Sequence, residues 1–297
     1  MLSIAKLASK HGIIPKKKYG QNFIFDETLC DRIVRAAEIG NDSVVLEVGP
    51  GTGGLTRSIL KTSPAALYAI ETDSRCLPLL EEIKLSYPAL EVLNQDALKV
   101  KLEDVISAVS AGGEEGSEAE TSSKSKPSLE IATDKLDIVA NLPYNVGSQL
   151  LVDWLCQIEH VASMTLMLQK EVVDRITSES SKRSYGRLSI ICQLVCDVHK
   201  CFDVSPKAFV PQPKIWSSIV RLVPKKDRPT KEILLLIETI TRHAFSGRRK
   251  MIKSSLKNLS PQIGDILDDL GIANTLRAEN LSPEDYLRIA CHEGCRY

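Results

Sequence analysis

The stretch Ser43-Val-Val-Leu-Glu-Val-Gly-Pro-Gly-Thr-Gly-Gly-Leu55 leaves this chain the fewest options. A short valine-rich run ends in four glycines within six residues, and an amphipathic segment, Leu55 to Leu60, follows at once. That order predicts a strand, a tight turn and the start of a helix. Glycines at 49, 51 and 53 allow positive φ and let a ligand approach where a Cβ would block it. The helix start then faces that ligand with free backbone N–H groups.

The surrounding pattern repeats the unit. Ala66 to Ile70 reads as a second buried strand ending in Glu71-Thr-Asp73, and Leu77, Leu80, Ile83 and Lys84 follow at helical spacing. Leu90 to Leu93 reads as a short strand ending in Asn94-Gln-Asp96, and Leu136 to Ala140 as another that runs into Asn141-Leu-Pro-Tyr144. Strands alternating with helices predict an α/β fold with a parallel sheet covered by helices on both faces. Ligands in such folds sit beyond the carboxyl ends of the strands, where Gly49, Glu71 and Asp96 all fall.

Ahead of that core, Ser3 to Gly12 has weak helical spacing, Pro15 to Phe23 reads as a loop, and Asp26 as the N-cap of a helix that buries Leu29, Ile33, Val34 and Ala37. Gly40-Asn41-Asp42 is expected to close that helix. Ala111 to Ser128 is Gly, Ser, Glu and Lys with almost no apolar content, and reads as a disordered insertion. Val146 to Ile158 is expected to be helical and Ser163 to Leu168 a strand, with helices again at Val172 to Ile176 and Leu188 to Leu194. Val195 to Val204 and Ile215 to Val223 have β character and flank a proline-stiffened turn, which suggests an antiparallel hairpin at one sheet edge. Pro224 to Pro229 is a linker, and the remainder is helical. The division expected is 1–224 for the sheet domain, with 111–128 inserted, and 230–297 for a small all-α domain.

Net charge is zero over 297 residues, so composition alone does not call for nucleic acid. The charge is uneven, however. Met1 to Phe25 holds five lysines and no acid, and Arg242 to Lys257 holds six Lys or Arg and no acid. Two such patches can leave an electrostatic footprint on a neutral protein. No apolar run approaches the ~18 residues of a membrane span, no secretory leader is evident, and an arginine-free start argues against a mitochondrial one. The eight cysteines include no Cys-x-x-Cys pair. Cys192, Cys196, His199 and Cys201 cluster in sequence, but Cys196 and Cys201 would face opposite sides of a strand. No metal site is expected, and reduced thiols suit a cytoplasmic protein.

The glycine turn fits two cofactor classes. Gly49, Gly51 and Gly54 satisfy the dinucleotide template, and Gly49, Gly51 and Gly53 the form common in S-adenosylmethionine (SAM) enzymes; in either case Glu71 stands where a carboxylate meets ribose hydroxyls. Asn141-Leu-Pro-Tyr144 separates them. A dehydrogenase has no use for this tetrad, whereas an enzyme that methylates a planar amino group does. The lone pair of such a nitrogen is delocalised into its ring and has to be oriented. The Asn141 side-chain oxygen and the Leu142 carbonyl can accept from its two N–H groups, Pro143 stiffens the turn, and Tyr144 can stack on the base. Orientation would then supply most of the acceleration.

With these residues in view the sequence resembles the bacterial small-subunit ribosomal RNA adenine dimethyltransferases, the kasugamycin-sensitivity enzymes. The resemblance rests on Lys18-Tyr-Gly-Gln-Asn-Phe-Ile24, Glu47 to Thr56, Ile70-Glu71, Gln95-Asp-Ala97, Asn141-Leu-Pro-Tyr-Asn145, Leu168-Gln-Lys-Glu-Val172 and Tyr185-Gly-Arg-Leu-Ser189. It continues through Ala208-Phe-Val-Pro-Gln-Pro-Lys214, Ser217 to Leu222 and Phe245-Ser-Gly-Arg-Arg-Lys250. It implies a Rossmann-like methyltransferase domain, a helical C-terminal domain, and SAM-dependent N6-dimethylation of two adjacent adenines near the 3′ end of 16S rRNA, in the 30S subunit or a late assembly intermediate, by a monomer. By motif position, SAM contacts fall on Asn22, Ile24, Gly49, Gly51, Glu71, Asp96 and Asn141. The resemblance also implies a flipped adenine between Tyr144 and Phe209. Lys16, Lys17, Lys18, Arg248, Arg249 and Lys250 would meet rRNA phosphates.

Three departures stand out: the 111–128 insertion, Ile24 where leucine is common, and Trp216 where a small or acidic residue is common. Rival readings are a macrolide-resistance-type methyltransferase acting on large-subunit rRNA, a non-catalytic nucleic-acid-binding module on the same scaffold, and a dehydrogenase.

Overall fold

The computed structural model describes residues 2–16, 20–111, 134–247 and 249–292. The expected insertion therefore lies, past Ala111, outside the described residues, as do Lys17, Lys18 and Arg248. The first elements are α1 (Ile4–Lys10), β1 (Phe23–Ile24), α2 (Glu27–Ala37), β2 (Val44–Val48), α3 (Gly54–Leu60), β3 (Ala66–Ile70), α4 (Leu77–Lys84) and β4 (Leu90–Leu93). Then come α5 (Leu102–Ala111), β5 (Leu136–Asn141), α6 (Gly147–Leu155), β6 (Val161–Gln169), α7 (Lys170–Ile176), α8 (Arg187–Val195), β7 (Cys196–Val204), β8 (Phe209–Val210) and β9 (Ser217–Pro224). The chain closes with α9 (Lys231–Ala244), α10 (Ile252–Leu256), α11 (Ile263–Asp269) and α12 (Pro283–Cys291).

The main sheet has the order β4-β3-β2-β5-β6-β9-β7. β2 pairs in parallel with β3 and β5, β3 with β4, and β5 with β6. β2 and β3 are buried at all five positions, which fits runs that are apolar except at Glu47. After β4 the chain returns to the other side of β2 to lay down β5. This reversal opens a crevice at the carboxyl ends of β2 and β5. Register fills it: Val48 stands opposite Ile70 on one side and Ala140 on the other. The next residues on the three strands are Gly49, Glu71 and Asn141, side by side. β9 and β7 are neighbours at one edge, as the hairpin expectation requires.

Local signals set the flanking helices. Asp26 Oδ1 accepts from the N–H groups of Thr28 (2.9 Å) and Leu29 (3.2 Å), so α2 starts where its N-cap predicts. Its core face uses Cys30 with Ile33, Val34 and Ala37, and Leu29 is only half-buried. Its left-handed C-cap falls on Glu38 (φ 55°) rather than on Gly40. The run expected to be helical from 146 to 158 is α6 followed by a short 3₁₀ turn at Ile158–His160. Helix α5, between β4 and β5, was not expected.

By contact density Met1–Leu168 with Asp203–Ile219 forms one compact unit, and Gln169–Phe202 with Val220–Tyr297 another. The second has its own core, in which Tyr185, Ile190 and Leu194 join Ile237, Ile240, Leu267 and Tyr286. Phe245 lies 6.4 Å from the Tyr185 ring and 6.3 Å from that of Tyr286, centroid to centroid. Helix α12 opens on a capping box: Ser282 Oγ accepts from Asp285 N (3.1 Å), the Asp285 carboxylate accepts from Ser282 N (3.0 Å), and Pro283 occupies the first turn. Ser282→Ala should lower the unfolding free energy by about 1 kcal/mol in urea titrations followed by circular dichroism; an unchanged curve would remove this cap from the stabilising contacts.

Candidate active site

A cavity of about 330 Å³ opens in the first unit at the carboxyl ends of the strands. Gly49 and Gly51 from the glycine turn line it with Glu71, Gln95 and Asp96 from the ends of β3 and β4. Asn141, Leu142, Pro143 and Tyr144 line it from the end of β5, Asn22 and Phe23 from the N-terminal loop, and Phe209 from β8. Ile24 does not line it. Its backbone is paired with Phe209, and its side chain is buried.

The glycine turn has the conformation the sequence predicts, with φ of 74°, 54° and 72° at Gly49, Gly51 and Gly53. Gly49 N donates to Ile70 O at 2.9 Å, which draws the turn across the end of β3. A side chain on Gly49 would be strained by that φ and would stand 3.8 Å from the Asn141 carbonyl.

Glu71 is buried beside the turn. Its carboxylate accepts from Gly51 N (3.0 Å) and Asp73 N (2.8 Å), and its own carbonyl accepts from Asn94 Nδ2 (2.6 Å). Burial pushes the Glu71 carboxyl above the usual range, and the N–H groups of Asp73 and Gly51 pull it partly back. Each oxygen keeps a lone pair for a ligand hydroxyl. Asp96 is exposed at the cavity rim, with Oδ1 held by Leu98 N at 3.1 Å. Glu47, the residue before Val48, lies beneath the turn and is 1% exposed.

The N-terminal loop is tied to the site through residues that sequence reasoning missed. Gln21 Nε2 donates to Asp73 Oδ2 (2.9 Å), and Gln21 Oε1 accepts from Lys16 N (3.0 Å). Arg75 Nε donates to Asp73 Oδ1 (2.9 Å), and its guanidinium also reaches the Ile14 carbonyl (3.0 Å). Asp73 is 1% exposed, so this is a buried acceptor with its donors in place. Gly20, at φ 61°, lets the loop close on the tetrad: a Cβ there would stand 3.2 Å from Asn145 Oδ1 and 3.4 Å from Pro143 Cβ. The two-residue pairing Phe23↔Val210 and Ile24↔Phe209 then joins the loop to the Phe209 segment. Arg75→Ala should weaken SAM binding by about tenfold in titration calorimetry, because the loop carrying Asn22 loses its anchor. Undiminished affinity would show that the loop is held by other contacts.

The tetrad is ordered by what surrounds it. Asn141 Nδ2 donates to the Asn22 carbonyl at 3.2 Å. A carbonyl can only accept, so the amide orientation is set and Oδ1 is left as an acceptor at the cavity. Leu142 N donates to Met167 O, and the Pro143 carbonyl accepts from Val146 N and Gly147 N, which turns the chain into α6. Tyr144 OH and Ser217 Oγ are 2.7 Å apart. Phe209 is 3% exposed, so only part of its ring meets the cavity.

Lys16 is exposed in the first unit, while Arg249 and Lys250 are exposed in the turn after α9 in the second. Trp216 is 51% exposed, and nothing in the structure explains its departure from the commoner residues. Cys196 is buried and Cys201 exposed on β7, as strand alternation predicts. Among the described residues no group of three or more His, Cys, Asp or Glu side chains is placed to hold a metal ion. No described helix is long and apolar enough to cross a membrane.

The ribosomal RNA adenine dimethylase family model matches residues 14–292. The chain belongs to that family. The dimethylase is 42% identical to the ribosomal RNA small subunit methyltransferase A of Agrobacterium fabrum, over 95% of this chain and 94% of that one. It is 40% identical to the protein of the same name from Methylobacterium radiotolerans, over 97% and 91%. Among solved structures it is similar to a dimethyladenosine transferase from Plasmodium falciparum (TM-score 0.71, 25% identity, 90% of this chain and 95% of that one). The 23S rRNA methyltransferase ErmE shares the fold (TM-score 0.65, 24% identity, 91% and 98% covered). The dimethylase is thus a SAM-dependent rRNA adenine methyltransferase, and the dehydrogenase and non-catalytic readings fall away. The cavity fits the donor. Gly49 leaves open the space that a side chain would fill, Glu71 offers buried acceptors, and Asp96 keeps one carboxylate oxygen at the rim.

Proposed function

We propose that the dimethylase transfers two methyl groups to N6 of each of two adjacent adenines near the 3′ end of 16S rRNA. Its substrate is the 30S subunit or a late assembly intermediate, and it acts as a cytoplasmic monomer. The observation that carries the adenine chemistry is the Asn141 amide, whose Nδ2 is committed to the Asn22 carbonyl so that Oδ1 remains to accept.

When bound, SAM supplies an activated sulfonium methyl group. Gly49 and Gly51 would floor its site, Asn22 would border it, Glu71 would accept from the ribose, and Asp96 from the adenosyl amino group. The target base enters between Tyr144 and Phe209, with stacking worth about 1–3 kcal/mol per base. Asn141 Oδ1 and the Leu142 carbonyl accept its two N6 protons and turn the nitrogen lone pair toward the methyl. Orientation of this kind removes a large part of the barrier without a strong base. Lys16, Lys17, Lys18, Arg248, Arg249 and Lys250 bind phosphates and position the enzyme without reading sequence.

The test is incubation with labelled SAM and unmethylated 30S particles, followed by mapping of the label. Label on two adjacent adenines near the 16S 3′ end is the expected result. Label on 23S rRNA, or none, overturns it.

A further inference from the structure

We propose that Ser217 is a positioning residue: its hydroxyl sets the tilt of the Tyr144 ring and so the width of the slot that admits the target adenine. The inference rests on the adenine reading above and adds to it a residue outside the tetrad.

Tyr144 stands in the turn between β5 and α6, where no sheet ladder holds it. Its ring could pivot about the side-chain torsions unless the far end is fixed. The phenol oxygen is held by the 2.7 Å hydrogen bond to Ser217 Oγ. Ser217 is fully buried and is the first residue of β9, so its oxygen is set by the backbone of a strand rather than by a mobile loop. A phenol turned away from this partner would lose a short hydrogen bond, so the ring has one preferred tilt.

The facing ring is held by a separate device. Phe209 is paired through its backbone to Ile24. Phe209 and Ser217 lie on the same proline-stiffened segment, which therefore presents one ring of the slot directly and fixes the other through the hydrogen bond. The segment acts as a gauge for the gap between them. A base stacks well only within a narrow range of ring separations and angles, and misplacement of about 1 Å can cost 10²-fold in rate.

The competing account is that Ser217 only packs β9 and that its bond to Tyr144 is incidental. A double-mutant cycle separates the two. Ser217→Ala and Tyr144→Phe are each expected to lower kcat for N6 methylation by about tenfold, and the double variant by no more than the worse single one. Ser217→Thr, which keeps the oxygen on a strand residue, should recover most of the loss. SAM affinity by calorimetry should stay within about twofold throughout, because the bond between the two hydroxyls acts on the base slot. A second readout does not depend on turnover. Unmethylated 30S particles reconstituted with 2-aminopurine at the target position of 16S rRNA should show, with Ser217→Ala, a lifetime distribution shifted toward the unstacked component. Additive losses in the double variant, normal kcat in Ser217→Ala, or an unchanged lifetime distribution would overturn the proposal. If instead the wild-type protein labels no adenine at all, the adenine reading fails and not the role of Ser217.

Discussion

Asn141→Ala is expected to reduce turnover by about 10²–10³-fold while SAM affinity changes by less than about tenfold and the protein stays folded. The size follows from what the side chain does in the transition state. As the amino nitrogen attacks, it gains positive charge and its N–H groups become stronger donors. An acceptor aimed at them is therefore worth more at that moment than in the ground state. Asn141 Oδ1 is the acceptor we propose, and its aim is pre-set because Nδ2 is already engaged by the Asn22 carbonyl at 3.2 Å.

Asn141→Asp sharpens the test. It keeps an acceptor at the cavity but puts a carboxylate oxygen against the Asn22 carbonyl, two acceptors with no proton between them. The side chain should then swing out of line, and kcat should fall nearly as far as in Asn141→Ala. Single-turnover assays on unmethylated 30S particles, with SAM binding followed separately, give the comparison. Near-normal turnover in Asn141→Ala would refute the role given to the side chain. Near-normal turnover in Asn141→Asp alone would show that the bond to Asn22 does not set the aim.

The positions of Gly49, Glu71 and Asn141 were legible because each ends a largely buried interior strand, and that of Asp96 because it follows the short apolar edge strand β4. Such strands write themselves as short runs of Val, Ile, Leu and Ala, and their ends are where polar residues resume. What holds those residues in place was not legible. The pairing of Phe23 and Ile24 with Val210 and Phe209 is two residues long, too short to leave a period. Tyr144 and Ser217 are 73 positions apart, and each reads locally as an ordinary polar residue at an element end. Arg75 and Asp73 look like surface charges next to a helix start, yet the Asp73 carboxylate is buried and ties down the loop that bears Asn22. The Leu29 expectation failed by one position for a related reason: helix α2 turned Cys30 into the core, and a cysteine carries less apolar signal than a leucine. Chemistry sits at strand ends and can be read; the scaffolding around it depends on contacts that only the folded chain brings together.

Glu47 gives the largest expected effect on stability. The second residue before Gly49, it is 1% exposed, and one carboxylate oxygen has no hydrogen-bond partner. Burial pushes its pKa up to about 8. Thr56, which stands close by, pulls the value back only in part, while Glu71 adds repulsion. At neutral pH Glu47 is therefore mostly protonated. The sign follows from proton counting. Between the ordinary carboxyl value of 4.5 and about 8 the folded chain holds one proton that the unfolded chain has released. Stability from this group is thus complete at acid pH and declines as pH rises toward 8, by about 1.4 kcal/mol per unit. Glu47→Gln keeps the shape and removes the proton. Its stability relative to wild type should rise by about 3 kcal/mol between pH 5 and pH 8. Trp154 and Trp216 both lie in the first compact unit, so urea unfolding followed by tryptophan fluorescence reports on the unit that contains Glu47. A difference between variant and wild type that is the same at both pH values would mean that Glu47 is already ionised in the folded chain. The glycine turn would then sit over a buried charge at Glu47, and Thr56 would have to be bonding it.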